Sequence, residues 1–197
     1  EDQGPPFVLH AGDCVLQPPG IRHRVLEASR GLEVVEVGCP AVHETRVDHE
    51  LALPTGERRP ERSFGGQRFV RHVAADAEWR PGGVPGGEVR DTGIAAATDG
   101  LAGVRVIRAG RGSGPSAGAG ASVGAGASTS PEPLRAHERE FHFLFVLDGG
   151  LEVEVERHGR HALRAGDSVV VPAGEPFRVS AHEGTELLEV TLPPRAD

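Results

Sequence analysis

Several residue types are absent from this chain or scarce in it, and each absence narrows the range of functions. The 197 residues contain no Met, no Tyr and one Trp. Two cysteines, Cys14 and Cys39, are too few for a disulfide framework, so we expect free thiols and a cytoplasmic location. No apolar run approaches the ~20 residues that cross a bilayer. A net charge of −8 disfavours contacts with phosphates, so we expect neither a membrane nor a nucleic acid as partner.

The residues that are abundant favour a fold of short β-strands. The chain has 28 glycines and 16 prolines, which turn and end strands, while 38% of its residues are hydrophobic and can form a core. No stretch has the apolar spacing of a long amphipathic helix. Residues 151–156 read LEVEVE and alternate apolar with charged side chains, as a half-buried antiparallel strand does. These patterns predict an all-β fold.

An internal repeat organises much of the chain. Residues 11–25 read AGDCVLQPPGIRHRV, and residues 165–179 read AGDSVVVPAGEPFRV. Further along, residues 31–40 (GLEVVEVGCP) match residues 184–193 (GTELLEVTLP). Each copy has a Gly-Asp turn, an apolar strand, a Pro-x-Gly turn and further strands. In the later pair of segments we expect the glutamates to face water between buried aliphatic neighbours, namely Glu33, Glu36, Glu186 and Glu189.

The repeat resembles the second conserved motif of the cupin superfamily, G-x5-P-x-G-x2-H. The first copy fills every position of that motif, with Gly12, Pro18, Gly20 and His23. The second copy keeps the two glycines and the proline but has Phe177 in place of the histidine. The resemblance implies a double-stranded β-barrel of the jelly-roll type, similar to RmlC-like proteins.

The other cupin motif, G-x5-H-x-H-x3–4-E-x6-G, resembles residues 135–149 (RAHEREFHFLFVLDG). Aligned from its last glycine, Arg135 occupies the first His position, His137 the second and His142 the Glu position. Metal-binding cupins use these positions for Fe, Mn, Ni, Cu or Zn. The resemblance therefore implies a divalent transition metal at His137 and His142. Around it we expect a ligand pocket formed by Arg135, Glu140, Phe177 and His23. Glu138 or Glu140 would be a substitute metal ligand if the register shifts by one or two residues.

The resemblance also implies a bicupin layout. Residues 1–53 would be the C-terminal part of a first barrel truncated at its N-terminus, and residues 54–66 a linker. Residues 67–197 would be a complete barrel, with opening strands at 67–73 and 101–108 and a flexible Gly/Ala/Ser loop at 110–131. The partial barrel cannot close on itself. We expect it to pack on the second barrel, or to pair with another chain or an upstream segment, and we expect a homo-oligomer such as a dimer.

Three classes of function fit these observations. The first is a cupin that binds a small organic molecule in the second barrel and acts on it as a metal-dependent oxygenase or decarboxylase. The second is a metal-free cupin that binds or senses a small organic molecule without catalysis, and the third is a structural protein whose half-barrel serves assembly. Arg135 and Arg178 near the barrel mouth would favour an anionic ligand, because Arg binds carboxylate and phosphate in a bidentate manner. We expect His158 and His161, which flank a turn, to be exposed.

Overall fold

A computed structural model describes residues 1–110 and 133–193, and this part of the chain is nearly all β-structure. It holds thirteen strands, a 3-10 turn at Ala74–Asp76 and one helix, α1 (Ile94–Ala97). The strands are β1 (Cys14–Leu16), β2 (Ser63–Phe64), β3 (Gln67–Arg68), β4 (Val70–His72), β5 (Arg80–Pro81), β6 (Glu88–Asp91), β7 (Gly103–Arg108), β8 (Phe141–Asp148), β9 (Gly150–Val155), β10 (Gly159–Arg164), β11 (Ser168–Val170), β12 (Phe177–Ala181) and β13 (Glu186–Leu192).

Two antiparallel sheets enclose the main core. The larger sheet has the strand order β11-β8-β13-β7-β6-β5, and the smaller has the order β10-β9-β12. One buried cluster joins them, with Ile107, Val146 and Leu187 from the larger sheet and Leu151 and Val153 from the smaller. Burial of each such side chain stabilises the fold by about 1.5–3 kcal/mol. The arrangement confirms the predicted all-β fold and is consistent with a jelly-roll barrel.

Strand β9 follows the alternation that its sequence predicts. Leu151, Val153 and Val155 are buried, and the glutamates between them are partly exposed. Each glutamate on the outer face lies opposite a basic or polar residue of a neighbouring strand, as in the pairing of Glu154 with Arg178 on β12. The hairpin that follows leaves His158 and His161 exposed, which confirms that prediction.

The chain crosses from the larger to the smaller sheet at Gly149, between β8 and β9. This residue has φ +76°, and a Cβ there would lie 2.8 Å from Oγ1 and 3.0 Å from Cα of Thr185. The Thr185 hydroxyl donates to the carbonyl oxygen of Gly150 at 2.7 Å and accepts from its amide at 3.1 Å. Close packing therefore requires glycine at this crossing, because any side chain would displace the threonine.

The outer face of the larger sheet is covered as well. Strand β1 pairs with β4, and Cys14 lies opposite His72. The Asp13 carboxylate accepts from the backbone amide of Ala74 at 2.8 Å. Ile94 of α1 is buried in the same layer, and α1 packs against β7. The predicted strands at 67–73 do form, but they pair with β1 and β2 and not with either barrel sheet, which corrects the expectation that they open the barrel.

The predicted strand at residues 31–40 does not form. Its repeat counterpart, β13, is hydrogen-bonded by β7 on one side and β8 on the other. No described strand lies beside residues 31–40, so Leu32, Val34 and Val37 are exposed and not buried as expected. A lone strand gains neither ladder hydrogen bonds nor burial, and it is therefore not stable in isolation.

Three further expectations concern the chain as a whole. Both cysteines are free thiols, Cys14 half-buried and Cys39 exposed. Among the described residues, no helix is long and apolar enough to cross a membrane. The predicted flexible loop at 110–131 lies, apart from its first residue, outside the described residues.

Candidate functional site

A row of three polar side chains crosses the inward face of the larger sheet. Glu189 on β13 pairs with Arg105 on β7, and on its other side β13 pairs with β8, which carries His142. On each strand the polar residue is two or four positions from a core residue, so it points to the same face. Thus Arg105 shares a face with Ile107, Glu189 with Leu187, and His142 with Val146. The three polar side chains therefore lie at the edge of the buried core.

Hydrogen bonds join the three residues. Nε2 of His142 lies 2.9 Å from Oε1 of Glu189, and Nε of Arg105 donates to Oε2 of the same carboxylate. His142 and Glu189 are each 8% exposed. Burial alone would raise the pKa of Glu189, but the hydrogen bonds from His142 and Arg105 outweigh it and lower the pKa to about 2. Glu189 is therefore ionised at neutral pH.

The ionised carboxylate fixes the tautomer of His142. Because Glu189 accepts and cannot donate, Nε2 of His142 must carry the proton that the two share. In the neutral form of the ring, the other nitrogen, Nδ1, is a lone-pair acceptor. This atom is buried and has no hydrogen-bond partner in the described residues. His142 thus presents one unused basic nitrogen.

Two rings pack against His142. The ring of His137 lies 4.9 Å from it, centroid to centroid, and the ring of Phe177 lies 5.4 Å from it, both edge to face. Phe177 also packs against the core cluster between the two sheets. Such edge-to-face contacts stabilise by about 0.5–1.5 kcal/mol beyond simple burial. The structure therefore brings together His137, His142 and Phe177 of the predicted site.

Both nitrogens of His137 are occupied. Nε2 lies 3.0 Å from the carbonyl oxygen of Val171, and the amide of Arg139 donates to Nδ1 at 3.1 Å. The His137 carbonyl in turn accepts from the amide of Gly174, in the Pro-x-Gly turn. Burial, with a contribution from the nearby His142, lowers the pKa of His137 and favours the neutral ring that these contacts require. His137 ties the segment before β8 to the turn before β12.

The other predicted site residues lie elsewhere or are engaged otherwise. Arg135 is exposed and pairs through its backbone with Phe177. Glu140 is exposed, and its amide donates to the carbonyl of Pro193 at 3.2 Å. His23 is exposed and its Nδ1 contacts the carbonyl of Ile21. Arg178 pairs with Glu154 on the smaller sheet.

The side chains around His142 do not form a binding site for a divalent metal ion. Metal sites that catalyse reactions use about three protein ligands, each with a free lone pair. His142 offers Nδ1, whereas the lone pair of His137 accepts a backbone hydrogen bond and Glu189 is held by its two partners. Within residues 1–110 and 133–193, no group of three His, Cys, Asp or Glu side chains could hold a metal.

Sequence reasoning missed Glu189 and Arg105. It placed Glu189 on the water-facing side of its strand, but Glu189 is buried, which corrects that expectation. Strand β13 is covered on both faces, so Val190 on the opposite side is buried too, and the alternation of LLEV cannot tell the faces apart. The one available signal was a carboxylate within the apolar run of residues 187–192.

A family comparison covers the part of the chain that holds this site. Residues 121–192 match a family model described as Cupin domain. The matched segment is similar to a cupin domain. It includes β8 to β13, and with them His142 and Glu189. No curated protein matches the chain.

Solved structures similar to this chain include several cupins. KdgF from Halomonas sp. is 22% identical, with a TM-score of 0.45, over 63% of this chain and 94% of that one. An RmlC-like cupin from Shewanella frigidimarina is 19% identical, with a TM-score of 0.44, over 64% and 91%. Streptomyces albus HEPD, with substrate 2-hydroxyethylphosphonate and Fe(II) bound, is 20% identical, with a TM-score of 0.45, over 66% of this chain and 27% of that one. Identities this low bear on neither substrate nor activity.

Proposed function

We propose that this cupin domain binds a small organic molecule at His142 and that the His142–Glu189 pair does so without a bound metal. The observation that carries the proposal is the buried Nδ1 of His142, which has no partner in the described residues while Nε2 is held by Glu189. A buried polar atom without a partner costs about 1–3 kcal/mol, so a ligand that satisfies it gains that amount on binding.

The tautomer defines the chemistry of the ligand. Because Nδ1 accepts, the matching ligand group is a donor such as a hydroxyl. A carbon acid or hydroxyl placed there could also lose its proton to Nδ1, in which case Glu189 would stabilise the positive charge that the ring gains. Arg105 holds the carboxylate in place and is a positioning residue. The rings of His137 and Phe177 form an apolar wall for the non-polar part of the ligand.

A metal-dependent oxygenase or decarboxylase is the second candidate. It draws support from His142 alone, because histidines that bind metals usually donate their other nitrogen to a carboxylate, as His142 does to Glu189. HEPD has been solved with Fe(II) bound, and Bacillus subtilis oxalate decarboxylase has Mn(II) centres. A comparable metal site is disfavoured here, because no three His, Cys, Asp or Glu side chains among the described residues are grouped so that they could bind a metal ion.

We further propose that residues 1–53 derive from a second cupin copy and serve assembly. Support comes from the repeat of residues 11–25 and 31–40, and from the exposed aliphatic side chains of the latter segment. A homo-oligomer in which this segment gains a strand partner would bury those side chains. The mass of the particle in solution, measured by light scattering across a dilution series, tests this part independently.

Metal content and ligand binding together test the main proposal. Protein purified without chelator or affinity metal should contain transition metal at far below one ion per chain by elemental mass spectrometry. A set of small hydroxylated molecules, screened by NMR of the histidine side chains, should include ligands that shift the resonances of His142. Those ligands should lose at least tenfold in affinity with His142→Ala, a change of about 1.4 kcal/mol or more.

The matched control is His158→Ala, which removes an exposed histidine from a hairpin turn and should leave binding unchanged. Near-stoichiometric metal that disappears in His142→Ala would overturn the proposal of a metal-free site and favour the metal-dependent oxygenase or decarboxylase. Ligands that bind His142→Ala as tightly as the unaltered protein would overturn the site itself.

A further inference from the structure

A second group of buried polar residues lies on the opposite face of the larger sheet. Arg90 on β6 pairs with Val106 on β7, whereas its neighbour Val89 faces the main core opposite Ile107. Arg90 therefore points outward, into the layer that β1 and β4 form over the sheet. It is nonetheless only 5% exposed, so a permanent positive charge is buried there.

Unlike several other arginines of the barrel sheets, Arg90 has no carboxylate partner among the described residues. Arg105 pairs with Glu189, Arg108 with Glu88 and Arg178 with Glu154. Within the described residues Arg90 forms no ion pair. Its contacts are the carbonyl oxygen of Gly12, 3.4 Å from Nη2, and the ring of Trp79, whose centroid lies 5.2 Å from Cζ. Its Nε is buried without a hydrogen-bond partner.

The nearby carboxylates are already engaged. Asp13 accepts from the backbone amides of His10 and Ala74, and these contacts lower its pKa. Asp91 is exposed and accepts from the amide of Gly93 at 2.8 Å. Neither satisfies Nε of Arg90. A buried charge without a counter-charge is costly, so the protein gains from a partner of opposite sign at this point.

His72 on β4 faces the same layer. It is 8% exposed, lies opposite Cys14 in the β1–β4 pair, and has a buried Nε2 without a partner in the described residues. Burial and then the charge of Arg90 lower the pKa of His72, so the ring is neutral and can donate from one nitrogen. Two unsatisfied buried nitrogens, one on a cation, thus lie within electrostatic reach of each other.

We propose that Arg90 and His72 form a binding site for a small monovalent anion, of the size of chloride or formate, beneath the β1–β4 pair. Arg90 would supply the charge and a donor from Nε, and His72 a second donor from Nε2. A bound anion would link β4 to β6 and so fasten the N-terminal segment to the barrel. The site is independent of His142 and lies on the other side of the sheet.

The chain contains a natural reporter of this site. Trp79 is the only tryptophan, and its ring is stacked by both Arg90 and Arg108. Sodium chloride and sodium formate are titrated in separate experiments at constant ionic strength, with sodium gluconate as the bulky replacement salt. We expect a saturable change in Trp79 fluorescence with chloride, with formate or with both. The titration that gives the change identifies the anion that binds.

Arg90→Met keeps an unbranched side chain that reaches as far as the position of Nε but removes the charge, and it should abolish the saturable change. Arg108→Met is the matched control, because that arginine also stacks on Trp79 but already has Glu88 as partner, and it should keep the response. If Arg90→Met does not fold, NMR of the unaltered protein decides, since the His72 ring resonances should move with the same midpoint as Trp79. A flat titration, a response that survives in folded Arg90→Met, or a Trp79 change without a His72 change would each overturn the proposal.

Discussion

Glu36 and Glu189 occupy equivalent positions of the internal repeat, yet Glu189 is buried against His142 and Arg105 while Glu36 is exposed. The difference arises from the neighbours of each segment. Strand β13 lies between β7 and β8, which supply the arginine and the histidine, whereas no described strand lies beside residues 31–40. Similar local sequences therefore give a buried, hydrogen-bonded carboxylate in one copy and a solvated one in the other.

Glu189→Gln should weaken the pH dependence of stability in acid. Because the pKa of Glu189 falls from 4.5 to about 2 on folding, the unfolded chain binds a proton before the folded one does as the pH drops. The carboxylate contributes fully above pH 4.5, on the order of 3 kcal/mol, and this contribution is lost as the pH falls towards 2. Urea unfolding at pH 7, 4 and 3 measures it. Glu154→Gln, at a more exposed pair, is the control and should show a smaller change.

His137→Ala should destabilise the fold, and more at neutral pH than in mild acid. It removes two hydrogen bonds, to Val171 and from Arg139, and should lower the free energy of unfolding by about 1–2 kcal/mol at pH 7. Since burial lowers the pKa of His137, its contribution should be complete above the ordinary value of 6.5 and fall as the pH drops below it. Urea unfolding at pH 7.5 and 5.5 checks both statements. An equal difference between variant and unaltered protein at the two pH values would contradict the second.

Two truncations at equivalent repeat positions should differ sharply. Leu187 is 1% exposed within β13, and its counterpart Val34 is 73% exposed. Leu187→Ala should cost about 3 kcal/mol of unfolding free energy because it leaves a cavity in the core. Val34→Ala should change it by less than about 0.5 kcal/mol. Denaturant unfolding of dilute protein measures both values, and a cost above 1 kcal/mol for Val34→Ala would mean that residues 31–40 are packed after all.

The two thiols should react at different rates. Burial raises the pKa of Cys14, which keeps the less reactive thiol form at pH 8 and also restricts access to it. Cys39 is exposed. A chromogenic disulfide reagent should therefore label one thiol fast and one slowly, and Cys39→Ser should remove the fast phase. Fast labelling of Cys14 in that variant would contradict the pairing of β1 with β4.

The sequence predicts those parts of the fold whose pattern depends on near neighbours. The LEVEVE run predicts β9 and its buried face because one face of that strand meets water. The Gly-Asp turn at residues 166–167 and the Pro-x-Gly turn at residues 172–174 follow from residues that suit them locally. Residues 31–40 carry an equally good strand pattern and still form no strand, because pairing depends on distant segments.

The candidate site, too, could be predicted from the sequence only in part. Motif alignment finds His137, His142 and Phe177, which the structure brings together. It does not give their roles, because the role of His137 depends on the backbone of Val171 and Arg139, and that of His142 depends on Glu189. Glu189 and Arg105 lie 84 residues apart in the chain and meet only through strand register.

The most direct test of the account is the protonation of the two His142 ring nitrogens, read by long-range nitrogen-15 NMR of the unaltered protein at neutral pH. The account predicts a proton on Nε2, a bare Nδ1, and loss of that preference in Glu189→Gln. A proton on Nδ1, or a nitrogen shifted by a bound metal, would contradict it.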